Sequence, residues 1–402
     1  MSFKLAHYAT SANEYSWGNC IYPHALFNPS TRKYYLPTVK KATKKAYLLE
    51  IDRSGNIREL ELQMPIYPDT TYGNGDCHCI PALIWLDRTF RKIVAVGGEH
   101  VGGTFRIEVV DVEAWSSEKV IDSGIDGTYH ILIRKSSGEI IIFYRNNSNG
   151  HLYYVKYDPS TDTVSTPVQV TTYSGDSSRA MHLGYDFDKS LYMISVTPNW
   201  SDWYTFYFDA ENEKFYDLNE NELTPPFDPT TLPTHFDGYR FPITKYNGYI
   251  YGIFQTDIDN DGNRELILAK MDISGSIVDY EILVDDMDIT NYWPGAYDGY
   301  VFLSENQLYG IYTAAKTVKA IKFDVNLNIT ELASITLDIA ALRLRPIYID
   351  VYNNTIEDCG AAATGEDDHD QSSEINEASN PQNLHVYDLL KLTSLSLQVV
   401  PL

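Results

Sequence analysis

The sequence predicts an all-β fold, a seven-bladed β-propeller with four-stranded antiparallel blades around a central funnel. The first observation is a repeated pattern in which a large residue precedes proline or histidine and a short apolar run follows. Its middle residue stands at positions 23, 81, 130, 182, 242, 294 and 346, which are 49 to 60 residues apart. That spacing is the length of one propeller blade. We therefore expect a single domain over residues 1–402, with blades starting near residues 22, 80, 129, 181, 241, 293 and 345.

The second observation is a series of hairpins inside the repeats. The segments "IPALIWL-DRTF-RKIVAVGG", "YHILIRK-SSG-EIIIFYR" and "RFPITK-YNG-YIYGIFQ" each predict a strand, a turn and a strand, with Asp, Ser, Asn and Gly at the bends. The third is the use of tyrosine, at 32 residues, which is typical of short twisted strands. Leucine-rich and ankyrin repeats are shorter, and a two-sheet sandwich does not repeat in this way.

Two segments are expected to close and to interrupt the last blade. Residues 3–9 are expected to pair with the final segment, "LSLQVVPL", which would join the two ends of the ring. Residues 360–383 are acidic, small and polar, so we expect a flexible loop there.

The charge balance limits the partners. The net charge is −24, from 31 basic and 55 acidic residues, and a surface that negative repels phosphate backbones, so nucleic acid is not expected as a partner. The chain has no run of about 18 apolar residues, so no membrane span is expected. Its start, "MSFKLAHYATSANEYSW", lacks the apolar core of a signal peptide. We expect a soluble protein that is cytoplasmic, part of a virion surface, or active outside the cell after export by another route.

Hairpin geometry places candidate site residues in pairs. Residues equidistant from a turn lie side by side in an antiparallel pair, so His78 is expected beside His100, and Tyr129 beside Arg145. Both pairs stand where the first strand of a blade begins, hence on one face of the disc. Tyrosine and histidine can donate or accept a proton, and arginine can bind a carboxylate with two hydrogen bonds. Elimination from a uronic acid needs these parts: a group that neutralises the carboxylate, a base at C5 and an acid at the leaving oxygen.

The same residues carry a resemblance to a known family. The stretches "CHCIPALIWLDRTFRKIVAVGGEH" and "GTYHILIRKSSGEIIIFYRNNSNGHLYYVKY" resemble the ulvan-lyase-type seven-bladed propellers of the BNR-repeat-like superfamily, most clearly over residues 73–157. The resemblance implies a polysaccharide lyase that performs β-elimination on uronate-containing glycan. It also implies that Arg145 binds the uronate carboxylate, while Tyr129 and a histidine, His78 or His100, share the base and acid roles.

Other interpretations of these residues stay open. The histidines can be satisfied by local hydrogen bonds at strand ends, Arg145 can form a surface ion pair, and Tyr129 can be one packed aromatic among many. The competing function is a non-catalytic glycan-binding or structural propeller, such as a virion or cell-surface attachment protein, because a propeller can keep its scaffold without the chemistry. Either function predicts an acidic polysaccharide or a surface glycan as the partner. Three side chains at first-strand starts are expected to help to bind it: Tyr22, His182 and Trp293.

The segment "DIDNDGNRE" is the best metal signal in the sequence. Asp257, Asp259 and Asp261 alternate, Gly262 follows, and Glu265 stands at the ninth position. Alternating carboxylates on a tight loop suit calcium, which binds oxygen ligands. The spacing resembles the D-x-D-x-D-G-x-x-[DE] calcium hairpins of integrin-type propellers. We expect a structural Ca²⁺ there, with an acidic Asp-Gly turn as the alternative.

Zinc is the second candidate ion, at the run Cys77-His78-Cys79. Successive side chains of a strand face opposite sides, so the three cannot easily share one Zn²⁺. A mixed site with a residue of a neighbouring blade stays open, and two buried thiols are the alternative.

Overall fold

The computed structural model consists of strands and tight turns. The described residues are 2–9, 15–16, 25–40, 45–52, 54, 56–64, 80–98, 103–172, 180–197, 202–237, 243–288, 298–304, 306–336, 340–348, 359–366 and 382–392. Among them there is no α-helix, and one short 3-10 helix covers Pro229–Thr231. No helix in these ranges is long and apolar enough to cross a membrane.

The strands form successive antiparallel groups. β1 (Ser2–Ala9) and β2 (Tyr15–Ser16) open the chain, and the first group follows with β3 (Ala25–Asn28), β4 (Lys33–Lys40), β5 (Lys45–Ile51) and β6 (Ile57–Glu61). The next group contains β7 (Ala82–Trp85), β8 (Lys92–Gly97), β9 (Thr104–Asp111) and the first half of β10 (Ser116–Arg134). The second half of β10 begins a further group with β11 (Ile140–Asn146), β12 (Leu152–Asp158), β13 (Thr163–Val164) and β14 (Val168–Gln169).

The groups that follow repeat this plan. One contains β15 (Ala180–Asp186), β16 (Leu191–Thr197), β17 (Asp202–Asp209) and β18 (Lys214–Tyr216), with β19 (Glu222–Leu223) beside β18 and β20 (His235–Asp237) beside β17. Another contains β21 (Thr244–Tyr246), β22 (Tyr249–Thr256), β23 (Glu265–Met271) and β24 (Ile277–Val284). A further sheet contains β25 (Gly299–Ser304), β26 (Gln307–Ala314), β27 (Thr317–Phe323) and β28 (Ile329–Thr336).

The last group joins the two ends of the chain. β29 (Ala340–Tyr348), β30 (Cys359–Glu366) and β31 (Gln382–Leu392) run antiparallel, and β1 pairs with β31. The segment "LSLQVVPL", expected to pair with residues 3–9, lies outside the described residues, so that pairing stays a prediction; β1 pairs with β31. A flexible loop was expected at 360–383, but both ends of this range lie in strands, β30 and β31. The small residues of β30 pair with β29 on one side and with β31 on the other.

Neighbouring groups meet through their first strands. β15 pairs with β21 in parallel, with Tyr185 opposite Thr244, and β29 pairs with β3 in parallel. First strands that lie side by side, each followed by antiparallel strands that move outward, are the arrangement of a β-propeller. The all-β propeller expected from the sequence is confirmed, and the count of seven blades stays a prediction.

The apolar core lies between neighbouring groups. Leu26 of β3 belongs to the same buried cluster as Trp85 of β7, and Tyr251 of β22 to the same cluster as Phe323 of β27. Burial of one large apolar side chain contributes about 1.5–3 kcal/mol, so apolar contact holds each group against the next.

One buried ion pair also crosses between two groups. Nζ of Lys245 lies 2.7 Å from Oδ2 of Asp186, and the two side chains are 6% and 0% exposed. Tyr207 donates its hydroxyl to the same carboxylate oxygen at 2.6 Å, and the backbone N–H groups of Asp188 and Lys189 donate to Oδ1. Both charges are therefore balanced inside the fold.

Candidate functional site

The strand directions define one face of the ring, here called the entry face. Within an antiparallel group, the start of the first strand and the turn between the second and third strands lie on the same side. Because neighbouring first strands run parallel, this side is shared by different groups. The entry face therefore carries Tyr129, the turn 147–151 between β11 and β12, and the turn 257–264 between β22 and β23.

Several predicted site residues lie outside the described residues, so their roles stay predictions. They are His78, His100, Tyr22 and Trp293, together with the cysteines of the zinc candidate, Cys77 and Cys79. The backbone of His182 is described in β15, where it stands opposite Ser195 of β16.

A β-bulge shapes the backbone that carries Tyr129 and Arg145. Thr128, not Tyr129, is the backbone partner of Arg145, because the register between β10 and β11 shifts between Thr128 and Ile131. The extra residue of a bulge redirects the side chains around it. Cζ of Arg145 nevertheless lies 6.0 Å from the centroid of the Tyr129 ring. The two side chains that hairpin symmetry paired are therefore neighbours, although their backbones are not directly opposed.

Tyr129 has an unusual backbone conformation. Its φ is 55°, in the left-handed region that a bulky side chain rarely adopts. Its ring is 7% exposed and belongs to a core cluster that also contains Leu183 of the next group. Such a conformation costs about 1–3 kcal/mol, persists only where the surroundings hold it, and is concentrated at functional sites.

Arg145 is half-buried and keeps hydrogen-bonding capacity. Within the described part of the chain, its buried Nε has no hydrogen-bond partner and no carboxylate forms an ion pair with it. Two lysines of the same group, in contrast, form ion pairs: Lys135 and Lys156 contact Glu213 at 2.7 and 3.0 Å. In a chain with a net charge of −24, a guanidinium without a carboxylate is suited to an anionic ligand.

The turn after Arg145 offers further polar atoms. Oδ1 of Asn147 and Nδ1 of His151 are buried and have no hydrogen-bond partner among the described residues. Nδ2 of Asn147 donates to Oδ1 of Asp126 at 2.6 Å, which ties the turn to β10. Buried polar atoms that the protein does not satisfy are rare and call for a ligand or water, so this turn extends the candidate site beyond the predicted residues.

His130 follows Tyr129, and its ring is packed away from solvent. It is 5% exposed, and its ring centroid lies 4.8 Å from that of Phe105. Burial lowers the pKa of His130 to about 3, so its imidazole is neutral at physiological pH. The sequence analysis used His130 only as the middle residue of one repeat. Its position directly after Tyr129 was the only sign in the sequence that it lies near the candidate site.

Acidic side chains form two overlapping clusters that could hold a metal ion. Carboxylate oxygens of Asp257, Asp259 and Glu265 lie within 4.8 Å of one another, and the same holds for Asp261, Glu265 and Asp286. Glu265 belongs to both clusters, so it links the predicted residues Asp257 and Asp259 on one side to the predicted Asp261 on the other. Asp286 was not predicted, because it follows β24 and reaches the cluster only through the folding of the sheet.

Comparison with known proteins supports a propeller of the ulvan-lyase type. No protein-family model matches the chain, and no curated protein sequence matches it. Similar solved structures include a polysaccharide lyase of family PL25, an ulvan lyase, bound to -[GlcA(1-4)Rha3S]-, with a TM-score of 0.63 and 12% identity over 96% of this chain and 95% of that chain. The polysaccharide lyase Uly1 has a TM-score of 0.59 and 12% identity over 94% of this chain and 92% of that chain.

At this identity the likeness shows the fold alone. The two structures named above are polysaccharide lyases, and their likeness to this chain supports a β-propeller fold of that type. Membership of the BNR-repeat-like superfamily stays a prediction.

Proposed function

We propose that the protein is a polysaccharide lyase that cleaves uronate-containing glycan by β-elimination on its entry face. The observation that carries the proposal is the environment of Arg145. Its Cζ lies 6.0 Å from the Tyr129 ring centroid, and its Nε has no hydrogen-bond partner in the part of the chain that the structure describes. A fold shared with ulvan lyases supports it, since one of those structures holds a fragment that contains GlcA.

In the proposed reaction, Arg145 binds the carboxylate at C6 of the uronate. Neutralising that carboxylate makes the charge that develops after loss of the C5 proton tolerable. A base takes the proton from C5, the electrons of the C5–H bond form the C4=C5 double bond, and the C4–O bond breaks. An acid gives a proton to the leaving oxygen, so the products are a new hydroxyl end and an unsaturated uronate.

The proton transfers are assigned to Tyr129 and to a histidine, His78 or His100. The phenol of Tyr129 lies beside the guanidinium that would hold the carboxylate, which suits a group that acts at the neighbouring C5 or at the leaving oxygen. Tyr22, His182 and Trp293 are proposed to bind the flanking sugars. No step of this reaction is assigned to a metal ion, and zinc at Cys77 or Cys79 stays a prediction.

The burial of Tyr129 favours a second candidate function, glycan binding without catalysis. A ring that is 7% exposed and packed in the core offers little surface to a sugar. A propeller that binds an acidic glycan through Arg145, as a virion or cell-surface attachment protein would, needs no proton transfer by Tyr129.

The test separates the two functions by product rather than by binding. Ulvan, glycosaminoglycans, pectin, alginate and glucuronan are incubated with the protein, and the ultraviolet absorbance of an unsaturated uronate is followed over time. The lyase predicts new absorbance with at least one substrate. Retention of a glycan with no new absorbance on any substrate would establish the binding module instead.

A further inference from the structure

The turn between β22 and β23 gathers more negative charge than a turn requires. Asp257, Asp259 and Asp261 lie on it, Glu265 begins β23, and Asp286 approaches from the end of β24. Each of these carboxylates has an oxygen within 4.8 Å of two others. Carboxylates this close repel one another unless a cation or a proton lies between them.

Glu265 is the buried member of this group. Glu265 is 0% exposed, and its Oε2 accepts a hydrogen bond from the backbone N–H of Ile258 at 2.8 Å. Oε1 is buried and has no hydrogen-bond partner among the described residues. A buried ionised carboxylate oxygen that lacks a partner is expensive, so Oε1 is available to a ligand.

Asp257 repeats this division of its two oxygens. Oδ2 accepts the N–H of Gly262 at 3.2 Å, and Gly262 has a φ of 97°, a conformation that favours glycine. Oδ1 of Asp257 is buried, and no described residue forms a hydrogen bond with it. On both residues, one carboxylate oxygen accepts a backbone hydrogen bond of the turn, and the other has no hydrogen-bond partner among the described residues.

We propose that Glu265 is the central ligand of a calcium site completed by Asp257, Asp259, Asp261 and Asp286. The donors are all oxygens, which suit Ca²⁺, and they lack the sulfur and nitrogen ligands of most structural zinc sites. A cluster of flexible carboxylates can supply the roughly 6–8 oxygen ligands of Ca²⁺, whereas Mg²⁺ demands a tighter octahedron and keeps several of its waters.

The ion would join two parts of one blade at the entry face. The N–H of Met287 donates to the carbonyl oxygen of Arg264 at 2.9 Å, so the segment that carries Asp286 is already docked against the turn. An ion shared by Asp286 and Glu265 fixes that contact. The site does not depend on the proposed lyase activity.

The first experiment is a calcium titration of the full chain, freed of metal by a chelator, followed by calorimetry. We expect one binding event for Ca²⁺ and much weaker binding of Mg²⁺. Glu265→Gln and Asp259→Asn should each weaken calcium binding about 100-fold or more, because each removes a charged ligand. Glu281→Gln is the matched control, since Glu281 is an exposed carboxylate on the same blade, and it should bind Ca²⁺ as the parent does.

A second measurement keeps the proposal testable if a variant changes the fold. Without calcium, Glu265→Gln should unfold at the same temperature as the parent or higher, because it removes a buried repulsive charge. With saturating calcium the parent should become the more stable of the two, since only a folded site binds the ion tightly. Absence of calcium binding by the parent, or binding that Glu265→Gln and Asp259→Asn leave unchanged, would overturn the proposal.

Discussion

Lys245 and Arg145 are two basic side chains whose surroundings differ in whether a carboxylate pairs with them. Lys245 is bonded to Asp186 at 2.7 Å, and Tyr207 donates to the same carboxylate. Cζ of Arg145 lies 6.0 Å from the centroid of the Tyr129 ring, and its Nε has no hydrogen-bond partner among the described residues. The first charge is balanced by a carboxylate, and the described residues place no such partner beside the second.

We infer that a buried charge with a partner in the fold is structural, and that a charged group with an unsatisfied buried atom is a candidate to bind a ligand. A buried pair such as Lys245 and Asp186 is satisfied by its own network and joins two blades. Arg145 and Glu265 are each left with a hydrogen-bonding atom that the described residues do not satisfy, and the two have opposite signs. We therefore expect the first pair to determine stability, Arg145 to bind an anion and Glu265 to bind a cation.

The largest effect on stability is expected from Lys245→Met. This change leaves Asp186, which is 0% exposed, without its cation, and breaking a buried pair in this way costs about 3–5 kcal/mol. Chemical denaturation of the parent and the variant measures the difference. Lys214→Met is the control, because Lys214 pairs with Glu222 on the surface, and it should leave stability nearly unchanged. Equal stability of the Lys245 variant and the parent would show that the pair is not structural.

Tyr129→Phe tests the proposed catalytic role of the tyrosine beside Arg145. The phenyl ring keeps the core contacts while the hydroxyl is lost, so kcat should fall about 100-fold if Tyr129 transfers a proton. The melting temperature should change little. Tyr157→Phe removes a hydroxyl that donates to Asp162 at 3.1 Å and should leave kcat unchanged. A fall of kcat in both variants, or in neither, contradicts the assignment of Tyr129.

A smaller, pH-dependent effect is expected from His130, a buried group that the fold keeps uncharged. Burial lowers its pKa from 6.5 to about 3, so between these values the unfolded chain binds a proton that the folded chain does not. The free energy of unfolding should therefore fall as the pH is lowered below 6.5, with a contribution of up to about 1.4 kcal/mol per pH unit from this residue. His130→Phe should match the parent at neutral pH and be more stable than the parent in acid. Parallel stability curves for the two proteins would rule out this role.

Hairpin symmetry predicted the neighbourhood of Tyr129 and Arg145, but not the form of their contact. The sequence pattern fixes which residues stand at equal distances from a turn. Beside the bulge, the backbone of Gly127 approaches Tyr144 so closely that a Cβ would lie 2.3 Å from Cδ2 of that ring. Only the folded sheet sets such an approach, so the left-handed conformation of Tyr129 could not be read from the sequence.

At the acidic turn, too, the sequence predicted the local residues but not the residue that is distant along the chain. Asp257, Asp259, Asp261 and Glu265 are recognisable because their spacing along the chain is local. Asp286 stands 21 residues after Glu265, and β24 must pair with β23 before the two can meet. Local motifs were therefore predicted, and partners that arrive through sheet pairing were not.

The central claim is tested most directly by comparing Arg145→Ala with Arg91→Ala. Arg91 is an exposed arginine paired with Glu113 at 2.7 Å, and so it controls for the loss of one positive charge. The measurement is the rate of unsaturated uronate formation from the substrate that the parent cleaves. Our account predicts a loss of about 100- to 1,000-fold in Arg145→Ala and parent-like activity in Arg91→Ala. Cleavage by Arg145→Ala at the rate of the parent would contradict it.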